Sequence, residues 1–98
     1  MKRVLYVDDI RTPNWFGDEV IVARNYEQAL KNLLIDQFDV VDLDHDLGEE
    51  KTGYDIVKFI IENQIEVKTI AIHTANPVGR DNMRQLVEHY LDCHIILY

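Results

Sequence analysis

Three short polar clusters interrupt the apolar stretches of this 98-residue chain: Asp8-Asp9, Asp44-His45-Asp46 and His73-Thr74. Clustered carboxylates repel one another unless a cation sits among them, so Asp8, Asp9 and Asp46 are candidate ligands of a divalent metal. Oxygen ligands alone suit Mg²⁺ or Ca²⁺, whereas nearby imidazoles favour Mn²⁺ or Zn²⁺. The expected cofactor is Mg²⁺ or Mn²⁺, with Zn²⁺ left open. His73 and His45 can give and take protons near neutral pH, which makes them, with Asp44, the candidate catalytic groups. Strand alternation would turn His45 to the face opposite Asp44, and this favours His73 as the acid. Each group also has a plainer role. Aspartate ends strands well, and histidine often braces a carboxylate.

An anion needs donors. Asn76-Pro77 reads as a helix N-cap and first helical position, a geometry that also aims backbone N–H groups at a phosphate. Gly79 would allow close approach of the anion and Arg80 would supply a fork of donors. Arg11, two residues beyond Asp9, either clamps a phosphate or pairs with the acidic edge. Trp15 and Phe16 stand in a loop, where they could stack on a base or seal a contact between copies. Thr52 and Asp55 form a capping box. Asp42 shares a strand face with Asp44 and receives no role. His89 and His94 lie away from the clusters as surface or packing residues.

The elements that must position these groups alternate. Val4 to Val7 and Val20 to Ala23 are continuously apolar runs, as expected of strands covered on both faces, with a loop from Ile10 to Glu19 between them. Asn25 caps a helix, with Gln28 as capping-box partner and Ala29, Leu30, Leu33 and Leu34 as its apolar stripe. Phe38 to Leu43 is strand again. The helix after Thr52 buries Ile56, Val57, Ile60 and Ile61. Val67 to Ile72 is a fourth strand, and Met83, Leu86, Val87, Tyr90 and Leu91 fall at helical spacing. Cys93 to Leu97 is the last strand. This order predicts one α/β domain over residues 1–98 with a mainly parallel five-stranded sheet. Ligands of open parallel sheets sit outside the carboxyl ends of the strands, and the three polar clusters all stand there.

Composition narrows the partners. Eighteen acidic against ten basic residues give a net charge of −8. Such a surface repels phosphate backbones, which argues against long nucleic acids and anionic membranes but not against a small phosphorylated ligand. No apolar run approaches the ~20 residues of a membrane span, and the start of the chain does not read as a signal peptide. The lone cysteine, Cys93, permits no internal disulfide and fits a reducing, cytoplasmic setting. A chain this short is near the low end for a self-sufficient core, which leaves a homodimer open.

Asp8-Asp9, Asp44, Gly53 and Thr74-Ala75 resemble the phosphoacceptor receiver domains of bacterial signalling. Two features depart from that pattern: the last strand carries no lysine, and there is neither a full first helix nor a final one. A closer resemblance is to the cyclic-phosphate processing receiver domain family. It runs from about residue 4 to 90, through Leu-Tyr-Val-Asp-Asp-Ile-Arg at 5–11, Leu-Asp-His-Asp-Leu-Gly at 43–48, Thr-Gly-Tyr-Asp at 52–55 and His-Thr-Ala-Asn-Pro-Val-Gly-Arg-Asp-Asn-Met at 73–83. The resemblance implies a shortened, three-layer, flavodoxin-like receiver fold acting on cyclic phosphate esters such as those left by RNA cleavage and repair. It places Thr74 with Arg11, Asn76, Gly79 and Arg80 among the substrate-binding residues. The expected activity is metal-assisted hydrolytic opening of a small cyclic phosphate, a phosphodiesterase-type reaction. The alternatives are a non-catalytic phosphate binder and a divergent signalling receiver phosphorylated on Asp44.

Overall fold

The computed structural model describes residues 1–98. Five strands, β1 (Arg3–Val7), β2 (Glu19–Ala23), β3 (Val40–Leu43), β4 (Thr69–Ile72) and β5 (His94–Leu97), form one sheet in the order β2-β1-β3-β4-β5. Every neighbouring pair is parallel. The helices are α1 (Tyr26–Ile35), α2 (Gly53–Glu62) and α3 (Pro77–Tyr90). Five parallel strands and three helices make the shortened flavodoxin-like receiver fold that the sequence leads one to expect.

The order of the strands decides where the helices go. The connections β2 to β3, β3 to β4 and β4 to β5 all step the same way across the sheet, and right-handed crossovers then fall on one face. Accordingly Ala29 and Leu33 of α1, Ile56, Val57 and Ile60 of α2, and Met83 and Val87 of α3 share one core with Leu5, Val7, Val41, Leu43, Ile70 and Ile72. Only β1 to β2 steps backwards, and its crossover belongs to the other face. There the chain has residues 8–18 in place of a helix. The third layer is therefore reduced to a strap, whose Trp15 packs against Val4, Val40 and Ala71.

Local capping matches the sequence in part. Asn25 Oδ1 accepts the Gln28 N–H at 2.9 Å, but the Gln28 side chain takes the N–H of Arg24 instead of closing the box on Asn25. Asp55 accepts the Thr52 N–H at 2.8 Å. Leu34, expected in the α1 stripe, is 66% exposed because α1 packs through a narrower face. No helix is long and apolar enough to cross a membrane.

Candidate functional site

The sheet reverses order between β1 and β3, and a ligand crevice belongs outside the carboxyl ends at that point. Asp8 leaves β1 there, Asp44 leaves β3, and His73-Thr74 leaves β4. All four are buried, as is Asp42. One ligand atom each from Asp8, Asp44 and His73 lies within 4.8 Å of the other two.

His73 sits between two carboxylates. Its Nε2 is 2.9 Å from Asp8 Oδ2 and its Nδ1 is 2.6 Å from Asp42 Oδ1. The ring stacks on Tyr6 with centroids 4.6 Å apart and planes within 6°. Burial alone would discourage protonation of this imidazole, but Asp42 and Asp8 outweigh it and raise the His73 pKa above its ordinary 6.5. The second oxygen of Asp42 accepts the Trp15 Nε1–H at 2.6 Å and the Tyr98 hydroxyl. Asp42 thus joins the sheet, the strap and the residue after β5. Sequence reading missed it. Its signal was a carboxylate inside an otherwise apolar strand, a costly position unless paired.

Asp8 Oδ1 accepts the N–H groups of Ile10 and Arg11, both at 2.9 Å. Burial would raise the Asp8 pKa, but these N–H groups and His73 reverse that and lower it. For Asp44 burial prevails: it raises the pKa, the Thr74 side chain opposes, and the charge of Asp8 adds to the rise. Three buried acidic side chains, Asp8, Asp42 and Asp44, thus stand around a single imidazole away from water. A divalent cation would offset that acidic excess; both His73 nitrogens are already taken by Asp8 and Asp42, so the oxygens of Asp8 and Asp44 are the ligands on offer, and they suit Mg²⁺ or Mn²⁺.

Asp9 and Asp46 are not in that group. Gly48, at φ +69°, lies so close to the Asp9 carboxylate that an added Cβ would stand 2.9 Å from Oδ2. Asp46 is exposed, and its carboxylate holds His45 Nδ1 at 3.0 Å and the Asn76 amide at 3.4 Å. The Arg11 Nε is 4.0 Å from Asp8 Oδ2, with the side chain half exposed. Arg80 makes no ion pair.

Three role expectations change. His73 was favoured as proton donor to a substrate, but both its ring nitrogens already face carboxylates and the residue is 3% exposed. His45 keeps Nε2 without a protein partner. Gly79 was expected to admit an anion. What approaches it is the His45 ring: a Cβ on Gly79 would fall 2.4 Å from that ring. The α3 N-terminus is also partly used up, because Asn76 Oδ1 accepts the Gly79 N–H at 3.0 Å and Asn76 O accepts that of Arg80 at 2.9 Å. Trp15, expected to stack on a base or seal a dimer, is instead fastened to Asp42.

Residues 3–89 match the family model described as the cyclic-phosphate processing receiver domain. The chain belongs to this family. A comparison with curated proteins finds no match. Among solved structures, this family member resembles the response regulator protein TrrA from Thermotoga maritima in complex with Mg²⁺ and BeF. The TM-score is 0.70 at 25% identity, over 98% of this chain and 86% of that one. The receiver domain of a Francisella response regulator superposes with a TM-score of 0.72 at 17% identity, over 99% and 84%. The Mn²⁺-bound form of response regulator Rcp1 gives 0.64 at 17% identity, over 98% and 81%. The last two likenesses concern the fold alone.

In the metal-free cyclic-phosphate processing receiver domain, NMR titration of His73 is expected to give a pKa above 6.5. The interaction contributes fully below the unfolded value and is lost as pH rises through the raised folded value. A measured pKa at or below 6.5 would mean that burial dominates the two carboxylates.

Proposed function

We propose that this protein binds a small cyclic phosphate ester and opens it with the help of a divalent cation held by Asp8 and Asp44. The observation that carries the reading is the buried Asp8–Asp44–His73 group at the carboxyl edge, next to Thr74. The description of the matching family names the class of ligand. The cation would neutralise phosphoryl oxygens and lower the pKa of a water, as divalent metals do in phosphoester chemistry.

The protein's own groups have separate tasks. His73, held by Asp42, fixes the Asp8 carboxylate. The Thr74 hydroxyl, the Asn76 amide and the Arg80 and Arg11 guanidinium groups would take the remaining phosphoryl oxygens. His45, oriented through Nδ1 by Asp46, offers Nε2 to protonate the departing oxygen. Asp46 of this pair is exposed, and the His45 ring is partly so.

A second reading has one observation in its favour. Asp44 follows β3, in a fold shared with response regulators, and on this reading would accept the phosphoryl group. Residues 94–97 are His-Ile-Ile-Leu, and supply no lysine to that edge.

One set of measurements separates the two. Adding Mg²⁺ or Mn²⁺ at about 100 times its dissociation constant should stabilise the fold by about 2.7 kcal/mol in a thermal melt. Asp44→Asn should remove most of that gain. Wild type with 2′,3′-cyclic nucleotides and metal should yield ring-opened monoesters by chromatography, and Asp44→Asn should not. A covalent phosphoryl group on Asp44 after incubation with acetyl phosphate, with no ring opening, would favour the receiver reading.

A further inference from the structure

Both oxygens of the Asp8 carboxylate lead back to the strap over residues 8–18. Oδ1 accepts the N–H groups of Ile10 and Arg11 at 2.9 Å. Oδ2 meets His73 Nε2 at 2.9 Å, His73 Nδ1 meets Asp42 Oδ1 at 2.6 Å, and Asp42 Oδ2 accepts the Trp15 Nε1–H at 2.6 Å. Together with the chain from Asp8 to Trp15, these contacts close a ring. We propose that Trp15 is a positioning residue for the divalent cation: through Asp42 and His73, its indole N–H fixes the direction in which Asp8 offers an oxygen. This rests on the proposed cation at Asp8 and Asp44 and adds the element that sets its affinity.

The strap has little else to hold it. No backbone group of residues 9–18 takes part in a backbone–backbone hydrogen bond. At its start the Arg11 carbonyl accepts from the Arg24 guanidinium at 2.6 Å, and at its end Asp18 accepts the Lys2 N–H at 2.9 Å. Between those two points the Trp15 indole makes the one hydrogen bond to the body of the domain, while its ring covers Val4, Val40 and Ala71. A segment without a ladder of its own stays where its side chains fasten it.

The path from Trp15 to Asp8 is stiff. Asp8 and Asp42 are fully buried and His73 nearly so, so water does not replace a contact that is lost. The His73 ring is also stacked on Tyr6. A carboxylate has about four acceptor sites. Ile10, Arg11 and His73 occupy three on Asp8, and a cation is left the direction that they leave free. Groups that orient a metal ligand in this way commonly govern affinity by about 10–100-fold. The Tyr98 hydroxyl shares Asp42 Oδ2 with the indole, so loss of the indole weakens the path without emptying that oxygen.

The test is titration of the whole chain with Mg²⁺, and in parallel with Mn²⁺, by calorimetry. Trp15→Phe keeps an aromatic cover over Val4, Val40 and Ala71 but has no N–H. It should weaken Mg²⁺ about tenfold, the low end of that range because Tyr98 remains. His73→Phe keeps a ring against Tyr6 and has no nitrogen, which cuts the path between Asp42 and Asp8. In that background Trp15→Phe should change the affinity by less than about twofold, whereas a purely structural Trp15 would cost the same in both. A second readout needs no variant to fold. Trp15 is the chain's one tryptophan, and a contact that alters the cation's affinity is itself altered by the cation. Its emission should therefore change along the Mg²⁺ binding curve. If wild type binds Mg²⁺ and Trp15→Phe binds it equally well, or if the emission stays flat to saturation, the assignment is wrong and the cation site stands without it. If wild type binds neither metal, the proposed cation falls and the positioning role falls with it.

Discussion

Asp42→Ala is expected to destabilise the protein by about 3–5 kcal/mol, the usual cost of removing one partner of a buried charged pair. Asp42 is fully buried and serves three donors: the His73 ring, the Trp15 indole and the Tyr98 hydroxyl. Removing its carboxylate strands all three. The imidazole would lose the larger of its two carboxylate contributions, and its pKa would fall. The strap over residues 8–18 would lose a polar anchor at its midpoint. For a domain of this size the melting temperature should drop by more than about 10 °C. Asp42→Asn keeps an acceptor for the indole and hydroxyl, and should recover part of the loss. A fall below about 1 kcal/mol for the alanine variant would mean that the strap is held by its apolar contacts with Val4, Val40 and Ala71 alone.

Gly53→Ala is expected to be damaging as well, although alanine in an ordinary helix is favoured over glycine by about 1 kcal/mol. A Cβ at Gly53 would stand 2.1 Å from the carbonyl oxygen of Asp44 and 2.9 Å from Met83 Cε. The methionine can move. The carbonyl belongs to the backbone that leaves β3, and the Gly53 N–H is itself bonded to the next carbonyl, that of His45, at 2.9 Å. Relief therefore requires the start of α2 to separate from the Asp44 segment. Overpacking of this kind costs roughly 1–3 kcal/mol and sometimes more. Because the displaced backbone carries Asp44, the stabilisation by added Mg²⁺ should weaken together with the fold. Urea unfolding with and without Mg²⁺ measures both effects. An unchanged midpoint would show that the α2 start retreats freely, and would remove the tight contact from the account of the site. Gly79→Ala makes a useful contrast. Its collision is with the ring of His45, an outer side chain that can swing away, so ring opening should suffer more than stability does.

Much of this arrangement was written locally in the chain. Apolar runs and helical spacing determined all eight elements in order, because burial of one face is a periodic property of neighbouring residues. The same periodicity put Asp8, Asp44 and His73 at carboxyl ends, and the rule for parallel sheets gathered them at one edge. The N-caps Asn25 and Asn76 could be read directly, since capping spans only three residues. What tertiary structure alone decided is who faces whom at that edge. Tyr6 pairs with Asp42 across β1 and β3, and Asp42 with Ala71 across β3 and β4. Those registers bring His73 between Asp8 and Asp42, at sequence separations of 65 and 31. No local pattern encodes such a meeting, which depends on strand order and register together. That is why His73 was favoured as the acid and is found clamped between carboxylates, and why the role of Asp42, open from the sequence, is that of a hub in the structure. Gly79 and Trp15 follow the same reasoning. A glycine shows that something comes close and an aromatic shows that something is covered, but only packing chooses His45 for the one and Asp42 for the other.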